Sequence, residues 1–140
     1  VWGRGRVGMH LAPRGDAHSM GDSNPAATFG YVAEQLGQRG IAFIAAREAI
    51  GPGRIGPELK RKFGGIYIAN EGFSFETANE VIEKGEADAV AFGKLFIANP
   101  DLPKRFALRA ALNTPDPTTF YGSGPKGYTD YPLLEAGLSA

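Results

Sequence analysis

The 140-residue sequence contains no cysteine, which excludes disulfides, thiolate metal sites and iron-sulfur clusters and accords with a reducing compartment. It also lacks an excess charge of either sign: fifteen Lys and Arg stand against fifteen Asp and Glu. No basic run follows from that balance, so nucleic acid is not an expected partner. No apolar run approaches the length of a membrane helix and nothing reads as a signal peptide, so the chain is expected to be cytoplasmic, with no membrane partner. The two histidines, with no cysteine, provide neither a Ser-His-Asp set nor a thiol nucleophile. Asp16, His18 and Asp22 in PRGDAHSMGD occupy a loop without a second His or any Cys, and no metal site is expected there. What remains is a 43% hydrophobic sequence, long enough for one domain that buries about 68% of its unfolded surface. It begins at Val1-Trp2 without an initiator Met and enters its first strand-like run within a few residues, and so reads as a fragment of something longer.

Four apolar runs read as strands: Val7 to Ala12, Ile41 to Ala46, Ile66 to Ala69 and Ala87 to Phe92. Helical spacing fills the gaps. Ser23-Asn24-Pro25 opens a stretch with Phe29, Val32, Ala33 and Leu36 on one face, closed by Gly40. Pro57-Glu58 starts a short helix that stops after Phe63 at Gly64-Gly65. Ser74, with Glu76 in the first turn, caps a helix whose Ala78, Val81 and Ile82 face inward, and Gly85 ends it. Asn99-Pro100-Asp101 opens the last, with Leu102, Phe106 and Ala110 on one face. Each gap is long enough for a crossover helix and too short for a further domain, which gives a parallel α/β string. An open doubly wound sheet and a stretch of a (β/α)8 barrel both fit. The glycines do not choose between them: GRGRVG precedes its strand, GPGRIG reads as turns, and GSGPKG lacks a phosphate-loop ending.

His10 falls on the small-residue face of the first strand, with Gly8 and Ala12. In a barrel that face enters the interior near the C-terminal mouth, where active sites are built; otherwise His10 is a core histidine bonded to a neighbouring carbonyl. Asn70-Glu71-Gly72 follows the third strand and Gly93-Lys94 the fourth. In (β/α)8 barrels the loops after the last two strands commonly form a phosphate site. Backbone N-H groups near Gly72 and Gly93 and the Lys94 ammonium suit that use, and Glu71 must then turn its side chain away. The plain alternative for Lys94 is a solvated lysine at a strand end. Arg47-Glu48 reads as a solvated charged edge. The stretch FYGSGPKGYTDYP, Phe120 to Pro132, reads either as a surface tail or as aromatics over a flat ligand.

VGMHLAP at 7 to 13, RGIAF at 39 to 43, ADAVAFGKLFIANPDL at 87 to 102 and FYGSGPKGYTDYP at 120 to 132 together resemble the Old Yellow Enzyme family, nearest its bacterial N-ethylmaleimide reductase and glycerol trinitrate reductase branch. The resemblance is collinear over nearly the whole chain. It implies an FMN-dependent (β/α)8 barrel that takes hydride from NAD(P)H and delivers it to activated alkenes, nitrate esters or quinones. The chain matches only the C-terminal half, strands five to eight, so residues 1-140 read as the C-terminal half of an FMN-binding barrel domain with a tail at 120-140.

By the same resemblance Asn70, Glu71 and Gly72 offer main-chain N-H groups to the FMN phosphate, Gly93 and Lys94 complete the site, and Tyr121 lies near flavin and substrate. Lys94 stands where the family usually has Arg, which keeps the charge and loses the bidentate fork. His10 stands where the family generally has an Arg at the flavin N1 and O2 edge, and Arg47 is expected to reach in and replace that charge. The family's substrate-anchoring pair and proton-donating Tyr belong to the other half, so no catalytic residue is expected here and the chain alone should be inactive. Its expected partners are a small-molecule substrate and either the N-terminal half of the barrel or a second copy, because four barrel strands leave two open edges and an uncovered apolar face. The alternative is a non-catalytic half-barrel that binds a phosphorylated ligand or pairs with another half-barrel.

Overall fold

A computed structural model describes residues 2-15 and 19-134; Asp16 and His18 lie outside the described residues. The chain divides into two compact units, Val1–Ala91 and Phe92–Ala140. The first unit carries strands β1 (Gly8–Leu11), β2 (Phe43–Arg47), β3 (Ile66–Asn70) and β4 (Ala89–Ala91), with helices α1 (Pro25–Arg39), α2 (Gly56–Phe63) and α3 (Phe75–Glu83) between them. All four strands pair in parallel, in the order β1-β2-β3-β4. A doubly wound sheet reverses its order at a switch point. This sheet advances without a reversal, as a barrel does, which decides between the two architectures left open by the sequence.

Register fixes the two faces. Ile44, Ala46, Tyr67 and Ala69 are all buried on one face, in rungs that pair Ile44 with Tyr67 and Ala46 with Ala69. Ala33 of α1 and Leu59 and Phe63 of α2 complete this core, each larger side chain contributing about 1.5 to 3 kcal/mol by leaving water. The other face carries Gly8, Phe43 and Ile66, then His10, Ala45, Ile68 and Ala89, then Arg47, Asn70 and Ala91. Its large residues are open to solvent, Phe43 at 37% and Ile66 at 54% exposure.

Local signals explain the helices. The Asn24 side chain accepts the Ala27 N-H at the start of α1, Pro25 occupies its first turn, and Gly40, at φ 63°, closes it in the left-handed conformation that glycine adopts freely. Ser74 caps α3 as expected, forming a reciprocal capping box with Thr77, and the Glu76 carboxylate in the first turn accepts from the Ser74 hydroxyl. Ala78 and Val81 are buried as expected, but Ile82 is exposed.

The second unit differs most from expectation. Residues 94-98 form a short helix, α4 (Lys94–Ala98), ahead of α5 (Leu102–Ala107). Five residues are too few for helical periodicity to register. Asn99 closes α4 instead of opening α5, whose N-cap is Asp101, and Ala110 lies beyond α5.

Candidate functional site

The C-terminal ends of β1, β2 and β3 converge on a cavity of about 140 Å³, with Arg14, Met20, Arg47, Glu48 and Glu71 in its lining. Arg47, the last residue of β2, donates from Nε to Glu71 Oε2 at 3.0 Å and from Nη2 to Glu71 Oε1 at 3.3 Å. This two-pronged pair is half exposed, with side chains 55% and 38% accessible, so it contributes about 0 to 1 kcal/mol. Glu71 makes it with φ at 88°, a left-handed conformation that disfavours any residue with a Cβ. The neighbouring Gly72, at φ 79°, has no such penalty. The Glu71 carboxylate is thus turned onto Arg47.

The solvated-edge reading of Arg47-Glu48 needs correction for its second member. Glu48 is 2% exposed and accepts the main-chain N-H groups of Ile55 and Gly56, both at 2.8 Å. Helix α2 has no side-chain cap at Ile55, and Glu48 supplies the missing acceptor from the adjoining strand. The sequence did hold a signal: a helix start at Gly56-Pro57 without Ser, Thr, Asp or Asn before it needs an acceptor from elsewhere. Arg54 lies 3.9 Å from Glu48, pairs with Glu86 at 3.2 Å and stacks 5.4 Å above the Phe73 ring. The buried Tyr67 hydroxyl shares this neighbourhood, its pKa pushed up to about 12 by burial first and the Glu48 charge second.

The Asn70 side chain donates to Ala91 O at 2.7 Å and ties the ends of β3 and β4 together. Among the described residues no acceptor takes the main-chain N-H of Gly72 or Phe73. The turn after β3 therefore offers donors suited to an anion. His10 is exposed on β1, beside Ala45 in register and on the same sheet face as Arg47.

In the second unit Gly93 is the N-cap of α4 and Lys94 its exposed first residue. Tyr121 is fully exposed. The segment around it is folded on itself, with Thr119 Oγ1 donating to Gly127 O and the Asp130 carboxylate accepting the Gly127 N-H. Among the described residues no cluster of three His, Cys, Asp or Glu side chains suits a metal, and no helix is long and apolar enough to cross a membrane.

No family model matches the chain. Among curated proteins it is 41% identical over 145 residues to putative 12-oxophytodienoate reductase 2 of Oryza sativa subsp. japonica, covering 95% of this chain and 38% of that protein. It is 38% identical over 135 residues to a probable flavin mononucleotide-dependent alkene reductase of Leishmania infantum, covering 94% of this chain and 37% of the relative. The chain thus spans little more than a third of the length of these relatives. Among solved structures it superposes on morphinone reductase in complex with tetrahydroNAD with a TM-score of 0.87 at 42% identity, over 96% of this chain and 38% of that one. An old yellow enzyme homologue from Zymomonas mobilis gives a TM-score of 0.87 at 39% identity, over 92% of this chain and 39% of that one. The α/β fold is that of the C-terminal half, strands five to eight, of a (β/α)8 barrel.

Proposed function

We propose that this chain is the C-terminal half of an FMN-dependent NAD(P)H oxidoreductase of the Old Yellow Enzyme family, an ene-reductase acting on activated alkenes, nitrate esters or quinones. The observation that carries this reading is the 42% identity and TM-score of 0.87 to a reductase holding a nicotinamide analogue, across 96% of the chain. The terminal motifs favour the bacterial N-ethylmaleimide reductase and glycerol trinitrate reductase branch, with the cytoplasm as its compartment. Residues 1-140 belong in this reading to one FMN-binding barrel domain that closes with the segment from 120.

The residues of the chain fit the cofactor. The turn after β3 offers the Gly72 and Phe73 N-H groups, and the acid beside them is held on Arg47. Bound FMN supplies hydride transfer from NAD(P)H to the substrate. Asn70, Glu71 and Gly72 present main-chain donors to the phosphate, with the Asn70 side chain fixing the strand ends that carry them. In the second unit the exposed Lys94 offers a charge, and the Gly93 cap backbone donors, of the kind a phosphate takes. His10 gives a hydrogen bond on the sheet face without the permanent charge of an arginine, and Tyr121 offers an aromatic ring to flavin or substrate. This half contributes no proton donor, so the chain alone is inactive. The exposed Phe43 and Ile66 make the rest of the barrel, or a second copy, the partner that covers this face.

Protein carrying this chain should retain FMN and quench its fluorescence. Lys94→Gln should weaken FMN about 10-fold to 100-fold through loss of a charge-assisted bond and leave riboflavin, which has no phosphate, unaffected. Folded protein that ignores micromolar FMN would overturn the reading.

A further inference from the structure

The Arg47-Glu71 pair is built in a way that favours exchange over permanence. Its two-pronged geometry, Nε to Oε2 at 3.0 Å and Nη2 to Oε1 at 3.3 Å, is the geometry by which a guanidinium grips a free carboxylate or phosphate. Glu71 makes it with a left-handed backbone at φ 88°, and both side chains remain open to water. The pair forms part of the lining of the cavity at the ends of β1 to β3, where Arg14 adds a second cation. Among the described residues the other acid of this lining, Glu48, has its oxygens turned to the Ile55 and Gly56 N-H groups. Of these two acids Glu71, already on the guanidinium and open to water, is the one placed to yield Arg47 to an incoming anion.

We propose that Arg47 is an oxyanion-binding residue and that Glu71 is its built-in competitor, holding the guanidinium until a phosphate or carboxylate enters the cavity. The inference rests on reading this mouth as an anion-binding site. Entry of the anion replaces one carboxylate on Arg47 by another oxyanion and releases the Glu71 side chain, so occupancy of the cavity and the placement of that side chain at the turn after β3 are linked.

The test follows the Arg47 Nε-H resonance by NMR in protein carrying this chain, titrated separately with inorganic phosphate and with acetate. Both probes should shift it saturably, and the tighter of the two names the preferred anion. Glu71→Gln should tighten binding about threefold to fivefold, since the competitor is worth at most a surface ion pair. Glu71→Asp retains the charge and should loosen the Arg47 contact, falling between the two. Arg47→Gln should abolish saturable binding. Glu80→Gln, which removes an equal charge from α3 away from the pair, should leave affinity unchanged. Circular dichroism confirms that each variant is folded. Unchanged or weaker binding in folded Glu71→Gln would overturn the proposal, as would wild-type affinity in folded Arg47→Gln. FMN binding measured on the same samples separates the two readings: wild-type protein that binds FMN while Glu71→Gln shows no gain refutes the exchange alone.

Discussion

The two units of the chain are held together by different physics. In the unit of Val1–Ala91 the interior is apolar, built from Leu11, Ala33, Ile44, Ala46, Leu59, Phe63, Tyr67 and Ala69, with Glu48 as its buried charge. In the unit of Phe92–Ala140 the buried residues include Ala98 and Leu102 but also Asn99 and Arg105, and the chain is closed by side-chain to main-chain bonds. Arg105 donates to Asp101, to Ala111 O and to Pro132 O. Asn99 and Asn113 bond each other and hold Ala98 O, Leu95 O and Pro132 O. An apolar core tolerates exchange among residues of similar volume. A polar clamp is less forgiving, because a lost donor takes its bonds from acceptors such as Ala98 O, whose residue is buried.

Arg105→Met should therefore cause the largest loss, about 3 to 5 kcal/mol, since it removes the guanidinium from an ion pair largely shielded from water and takes the donor from Ala111 O, while Pro132 O keeps Asn113. Amide hydrogen exchange should show the loss in α5 and around Pro132 while the amides of β2 and β3 keep their protection. Equal loss of protection in both regions would mean that the two units unfold as one and would break the contrast.

The same contrast shows how much could be read from the sequence. The first unit was legible because its signals are local and periodic: alternating runs for the strands, Asn24-Pro25 and Ser74 for the helix starts, Gly40 and Gly64 for the stops. The face of His10 followed from alternation within its own run, whereas the register that puts Arg47 and Asn70 on that same face appears only in the structure. What escaped was non-local. Glu48 looks solvated beside Arg47, and its burial depends on the Ile55 and Gly56 N-H groups that the fold brings to it. In the second unit the helix of Lys94–Ala98 is too short to show a period, and the bond from Arg105 to Pro132 spans 27 residues that no pattern links.

A smaller effect separates the units by alkali. Tyr67 is buried as a neutral phenol with its pKa raised from 10.0 to about 12. A raised folded value means stability that is complete below pH 10 and is lost as pH climbs toward 12. The loss amounts to roughly 2 to 3 kcal/mol, since each pH unit in that window removes about 1.4 kcal/mol. Tyr67→Phe should flatten that decline, and the phenolate absorbance of Tyr67 should appear only as the first unit opens. Phenolate rising at pH 10 with the fold intact would show that the hydroxyl is not sealed.

The smallest contrast lies in acid. The Leu134 N-H and then the Arg105 guanidinium hold the Asp101 carboxyl below its ordinary value of 3.8. A lowered folded value means stability that is present above the ordinary value and lost as pH falls through the folded one. Acid alone does not single out the second unit, because Asp88 in the first is lowered too, by the Tyr67 N-H and then Lys60. The two carboxylates nevertheless fasten different things. Asp88 joins the start of β3 to the residues leading into β4, where the Asp88 N-H also donates to Tyr67 O and keeps the strands paired if the carboxyl is protonated. Asp101 joins α5 to Leu134 with no backbone bond in parallel among the described residues. Acid should therefore expose the Leu134 amide to exchange before the Tyr67 amide. Asp101→Asn should abolish the acid dependence of Leu134 and leave that of Tyr67 in place, whereas simultaneous exposure of both amides would assign the acid response to one cooperative unit.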